Sequence, residues 1–387
     1  MPSLTKNRIE SLDFLKGLVM VLMALDHTKD FFYKSPGLLD ITNPANATVG
    51  AYLTRWVTHF CAPSFCFLAG LSAFMIGIRK SKIELSLFLL QRGIWLIFIE
   101  TTVIAFAWYF DIRFHNTDLA TIWSLGMGMI ALAAIIRLPK NLILLFSLLL
   151  ICCHNLLDAV HFDGNILWSI LHEFNSFEIL ANYHINVVYP LIPWIGVMSL
   201  GYYFGNFYNK SFDPMARKKL FNQIGLAAII GFFILRFINV YGDLNPWKHY
   251  DTTTQTIMSF MNLNKYPPSL LYLLITLGGA ILFLANAEKL KGKIVDFFIV
   301  FGRVPFFYYI IHLYAIHILA AILAEMEGYG WKIMIQYTFD PDLKGFGYNL
   351  PLVCLIWIGI VLALYPLCKK FDTYKQNNKD KWWLSYL

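Results

Sequence analysis

The sequence predicts an all-α integral membrane protein, a polytopic bundle of about ten transmembrane helices with both termini cytoplasmic. Three observations carry that expectation. Of 387 residues, 58% are hydrophobic and only 14% charged, against about 25% charged in soluble domains. Apolar segments recur along the whole chain, most of them near the ~20 residues that cross a bilayer. Lysine and arginine are also unevenly divided between its two sides. The N-terminus, the even-numbered connections and the C-terminal tail hold 19 of them, the odd-numbered connections 6. By the positive-inside rule both termini then lie in the cytoplasm, and an even number of spans agrees. The net charge of +7 belongs to these loops, so the expected partner is a lipid bilayer and no nucleic acid is expected.

In chain order the segments are 11–33, 49–78, 84–108, 119–136, 141–156, 187–208, 221–240, 267–285, 294–324 and 350–367. The first lacks a small-residue cleavage site and reads as a retained span rather than a signal peptide. The second and ninth are long, and Pro63 and Pro305 fall where each would kink. No loop is long enough for a second domain, so residues 1–387 form one. No internal repeat is evident, which weakens the case for an inverted-repeat transporter. The six cysteines (61, 66, 152, 153, 354 and 368) nearly all lie in apolar segments without paired spacing and read as small core residues.

Ionisable groups within spans are expensive and mark candidate function. The first span holds Lys16 near its start and Asp26, His27, Lys29 and Asp30 near its end. Eleven residues bring Lys16 and His27 to nearly the same helix face, some 16 Å apart along the axis. Asp30 lies three residues beyond His27, where a carboxylate can accept an imidazole N–H and fix its tautomer. That is the outline of a general base with its orienting group; the plainer alternative is a charge cluster snorkelling to the headgroups. The second span opens with Arg55 and His59, spaced i,i+4 at the same outer level. Arg92 and Glu100 occupy the third span eight residues apart, and each reads as the partner of a group on another helix, in a structural or a catalytic ion pair. Arg236 ends the seventh span on the outer side and suits an anionic or hydroxylated ligand. Lys265, with Tyr266, precedes two prolines and lines an external vestibule. The ninth span carries Arg303, Tyr308 and His312, with Arg303 at the inner end.

Two levels emerge. Lys16, Arg92 and Arg303, with Tyr308 and His312, form a cationic mouth suited to phosphate. Asp26, His27, Asp30 and His59 form an outer reaction centre, with Arg55, Lys265 and Arg236 on its acceptor side. A long anionic cofactor of the shape of acyl-coenzyme A fits between them; lipid or a charged substrate in transit satisfies much of the same pattern. The outer loop 157–186 holds four acidic residues and His161, His172 and His184, with no Lys or Arg. Its histidine spacing fits no metal motif, so no metal is expected.

The stretches RIESLDFLKGLVMVLMALDHTKDFF, WVTHFCAPSFCFLAG, YPLIPWIGVMSLGYYFG, NKYPPSLLYLLITLG and FGRVPFFYYIIHL together resemble a bacterial family of unknown function grouped with the catalytic domain of heparan-α-glucosaminide N-acetyltransferase. The likeness runs from Arg8 to Tyr386. A more distant likeness is to the transmembrane acyltransferases that O-acetylate surface glycans, whose first helix repeats the Lys16 to His27 spacing. Gly302-Arg303 and Tyr308 to His312 echo their late helix. The resemblance implies transfer of an acetyl group from cytosolic acetyl-CoA to a sugar hydroxyl or amine across a bacterial inner membrane. His27 would be the general base, Asp30 or Asp26 its stabiliser, and His59 and Arg55 would orient the acceptor or hold the oxyanion. The lysosomal family member carries its acetyl-handling histidine in the loop after the first span. Residues 34–48 here contain none, so glucosaminide specificity does not carry over. A homodimer is left open, and the alternative function is a transporter or channel for a small anion or glycan precursor.

Overall fold

A computed structural model of the protein describes residues 9–34, 43–335 and 345–385; Lys6, Arg8 and Lys344 of the charge count lie outside them. Each predicted span is helical. Helix α1 (Glu10–Phe32) is apolar nearly all round between its charges, and such a helix is stable only when enclosed. It is indeed buried along most of its length, from Leu12 and Leu15 to Phe31 and Phe32.

The second span is two helices, α2 (Val49–Thr58) and α3 (Cys61–Gly77), broken at His59–Phe60 with Pro63 in the first turn of α3. The third is α4 (Lys82–Ile99), a π-helical turn (Glu100–Ile104) and α5 (Ala105–Tyr109). Ser81 and Glu84 form a capping box that starts α4, as the S-x-x-E pattern dictates. Then follow α6 (Thr121–Ile135), α7 (Lys140–Cys153) with a 3-10 turn (His154–Leu157), the short outer α8 (Ile166–Leu171), and α9 (Leu191–Phe204). Helix α10 (Pro214–Ile238) begins earlier than hydropathy suggests, because Asp213 caps it and Pro214 takes the first position, where its missing N–H costs nothing. After the outer α11 (Thr253–Met261) come α12 (Leu270–Ala287), α13 (Lys293–Arg303), α14 (Pro305–Met326) and α15 (Leu350–Asn377). The ninth span breaks at Val304, directly before Pro305.

Among the described residues, seven helical segments are long and apolar enough to cross a membrane. Of the other three, α1 carries too many charges for that criterion, and α6 and α9 are short. Leucines on α7 (Leu142, Leu145, Leu149) and Phe233, Ile234 and Phe237 on α10 point outward, as a lipid-facing surface requires. The chain is an integral membrane protein.

Helices meet through glycine. A methyl group on Gly17 would overlap the Phe298 carbonyl, and one on Gly302 would overlap that of Asp13. Backbones of α1 and α13 therefore touch, the small-residue packing that replaces hydrophobic drive inside lipid. Gly70 and Gly201 do the same for α3 and α9.

Sequence reading missed a three-stranded sheet at the outer end, order β1-β3-β2, formed by β1 (Asn116–Leu119), β2 (Asn175–Leu180) and β3 (Tyr183–Val187). β1 runs parallel to β3, pairing Asn116 with His184 and Leu119 with Val187. β2 and β3 form a hairpin whose two-residue loop has Asn182 at φ 68°, a left-handed position that asparagine tolerates.

Candidate active site

Helix α1 runs past two cavities. The inner one, about 300 Å³, is lined by Lys16, Ser72, Phe88 and Arg92 and is otherwise mainly apolar. Lys16 donates to the Ser72 hydroxyl at 2.9 Å. The outer cavity, about 310 Å³, is lined by Asp26, His27, Asp30, Asp118, Asn186 and Lys265, among others. Met23, Thr121 and Tyr309 line both. The two cavities thus back onto one another inside the bundle.

His27 stands on the outer side of that partition. Its Nδ1 lies 2.8 Å from His312 Nε2, with the two rings stacked at 5.0 Å. His312 Nδ1 in turn donates to the Tyr308 carbonyl at 2.8 Å. The carbonyl fixes every proton in this chain. His312 must carry its hydrogen on Nδ1, so its Nε2 accepts; His27 must then donate from Nδ1, which leaves a lone pair on its Nε2. This corrects the expectation that Asp30 orients His27 and that His312 serves a cofactor. Trp108 closes one side, edge-on to the His27 ring at 5.0 Å.

Asp26 accepts from Thr58 at 3.1 Å and lies 3.5 Å from Lys265 and 3.8 Å from Lys29. It is neutralised by two cations rather than aimed at the imidazole. Asp30 faces the outer cavity, within the field of Lys29 and Lys265.

Other expected residues fall elsewhere. His59 is buried, lines neither cavity, and sits edge-on to Tyr272, whose hydroxyl donates to the His59 carbonyl at 2.7 Å. Arg55 likewise lines neither cavity. Arg303 is 3.5 Å from Asp372 of α15 and does not line the inner cavity. The Tyr308 side chain is buried with its hydroxyl unpartnered, and its neighbour Tyr309 is the tyrosine that reaches both cavities. Arg236 is 1% exposed and donates to the carbonyls of Asn245, Ser259, Phe260 and Asn262 at 2.7–2.9 Å. Four of its five N–H donors are spent on holding the outer loop, and it lines neither cavity. Glu100, expected to pair with a group on another helix, meets the Ala120 and Ile122 amides at the start of α6, where a carboxyl complements the helix dipole.

Sequence reading did not single out Asp118, Asn186 and Tyr109. The Tyr109 hydroxyl donates to one oxygen of Asp118 at 2.8 Å and the Asn186 amide to the other at 2.7 Å. Burial pushes the Asp118 carboxyl up from the ordinary range, against the pull of these two hydrogen bonds. The carboxyl belongs to β1 and the amide to β3, so the unpredicted sheet is what brings them to the cavity.

No curated protein matches the chain. Residues 8–240 match the family model of the heparan-alpha-glucosaminide N-acetyltransferase catalytic domain, a stretch that includes Lys16, His27, Arg92 and Asp118 and ends before Lys265 and His312. With more than half its length matched and a bundle of membrane-crossing helices around α1, the chain belongs to this family of transmembrane acetyltransferases.

Proposed function

We propose that the protein transfers an acetyl group from acetyl-CoA, entering from the cytoplasm, to a hydroxyl or amine of a sugar on the far side of a bacterial inner membrane. The observation that carries this reading is the pair of back-to-back cavities sharing Met23, Thr121 and Tyr309, with the His27 lone pair beside the partition. Lys16 and Arg92 would meet the donor's phosphates, and the apolar lining between them and Met23 would take its uncharged arm.

On this reading His27 Nε2 removes the acceptor's proton as its oxygen or nitrogen attacks the thioester carbonyl. The carbon–sulfur bond then breaks, and the imidazolium returns the proton to the departing thiolate. His312 steadies the imidazolium through the Nδ1–H bond, backed by the Tyr308 carbonyl. Trp108 donates to the Tyr309 phenol oxygen, which leaves the phenol hydrogen for the developing oxyanion. Asp30, Asp118 and Asn186 are suited to sugar hydroxyls, and Trp108, Tyr189 and Tyr266 offer ring faces.

Purified protein should bind acetyl-CoA, with Lys16→Ala and Arg92→Ala each weakening binding at least tenfold. It should also release coenzyme A in the presence of acceptor sugars. The same cavities would suit a transit path for a small anion or glycan precursor. Flux of such a solute into vesicles, with neither cofactor binding nor thiol release, would decide for transport and overturn this reading.

A further inference from the structure

At the outer rim, away from both cavities, His154 of the 3-10 turn after α7, Asp158 and His172 at the end of α8 converge. One ligating atom from each lies within 4.8 Å of the others. His172 Nε2 donates to Asp158 at 3.0 Å, so its Nδ1 is a bare lone pair, buried and without a partner. His154 is 2% exposed, and neither of its ring nitrogens has a partner. Buried imidazole nitrogens left unsatisfied are costly, and a bound ion would remove that cost. Asp158 is held from behind by Asn155, whose amide donates to the second carboxylate oxygen at 2.8 Å. Such support orients a carboxylate as metal sites require. Asp158 and His172 also face a rim cavity of about 420 Å³ that holds Asp163 and Glu173, and the surrounding loop 157–186 contains no lysine or arginine.

We infer that His154, Asp158 and His172 form a site for a divalent transition-metal ion of the zinc class, clipping the end of α7 to the loop that follows α8. Two imidazoles and one carboxylate are the donor set such an ion prefers. The 4.8 Å within which the three atoms lie accommodates the ~3.4 Å between ligands of a tetrahedral ion at bonds near 2.1 Å. Linear spacing hid the site because His154 belongs to the preceding span. The clip sits beside Phe174, which lines both the rim cavity and the outer cavity, and would steady that wall.

The test is titration of zinc into the full-length protein in detergent after dialysis against a chelator, read by calorimetry and by metal analysis. The expected result is one ion per chain, with affinity lowered at least tenfold in His154→Ala and in His172→Ala and unchanged in His161→Ala, whose ring bonds Glu173 instead. No stoichiometric binding by the wild type, or binding that survives both substitutions, would overturn the proposal. Should those variants fail to fold, cobalt bound to the wild type gives a second readout. Tetrahedral ligand-field absorption displaced by zinc supports the site, and a purely octahedral aquo-ion spectrum refutes it.

Discussion

The molecule holds two histidine pairs at its outer half, and they differ in how their nitrogens are occupied. His27 and His312 are bonded to each other at 2.8 Å, and a carbonyl behind His312 dictates the direction of every donor. The result is a chain with a single lone pair at its open end. His154 and His172 lie 5.8 Å apart with rings crossed, and three of their four nitrogens have no partner. Wiring of the first kind suits moving a proton, whereas facing lone pairs beside a carboxylate suit holding a cation. Residue type alone does not separate these uses. What separates them is the group bonded to the second nitrogen of each ring.

The sharpest way to break this contrast is His27→Ala. Turnover measured as thiol release should fall about 10²–10⁴-fold, the usual contribution of a general base, with donor binding intact; retained activity would remove His27 from the mechanism. Next is Arg236→Met in the scaffold of the outer loop. Four carbonyls lose a buried cation, so denaturation in micelles should show a loss of at least about 3 kcal/mol, while KM of the surviving protein stays put. A changed acceptor KM with normal stability would restore Arg236 to the acceptor site. His312→Leu should lower turnover about tenfold or more, and His312→Gln should recover part of it by accepting from His27; equal losses would show that the pair is only packed. The smallest effect concerns Asp118. Its folded-state carboxyl titrates above its unfolded value because of burial, so its contribution to stability is full below the unfolded value and is lost as pH rises through the folded one. The melting temperature of the wild type relative to Asp118→Asn should therefore decline from pH 4 toward neutrality. A flat difference would mean an ordinary carboxylate.

The spans were legible because hydrophobicity and helical period are local properties, and both breaks followed from Pro63 and Pro305. The candidate site was legible only along α1, where Lys16 and His27 share a face by arithmetic. Asp30 looked like the partner of His27 because it is three residues away, but the observed partner is 285 residues away in sequence. The i,i+4 spacing to His312 points to Tyr308, whereas Tyr309 is the residue that lines both cavities. One residue turns a helix by about 100°, and the break at Val304 sets the rotation of α14 in a way that no local pattern reveals. Arg236 stood among polar neighbours and read as a ligand group. Its fate depends on where carbonyls 9 to 26 residues later return. The strands are 4 to 6 residues long, too short and polar to stand out between apolar runs.

The partition of Met23, Thr121 and Tyr309 has a further consequence, for the bilayer's role as an electrical insulator. Two cavities that back onto one another within a membrane-crossing bundle are close to a pore, and a pore would dissipate ion gradients. None of these three side chains bears a charge, and two are bulky. A hydrated ion would have to shed its shell to pass them, at a cost of several kcal/mol. An acetyl group carries no charge and pays no such cost. The same barrier can therefore admit a two-carbon fragment and keep the membrane sealed.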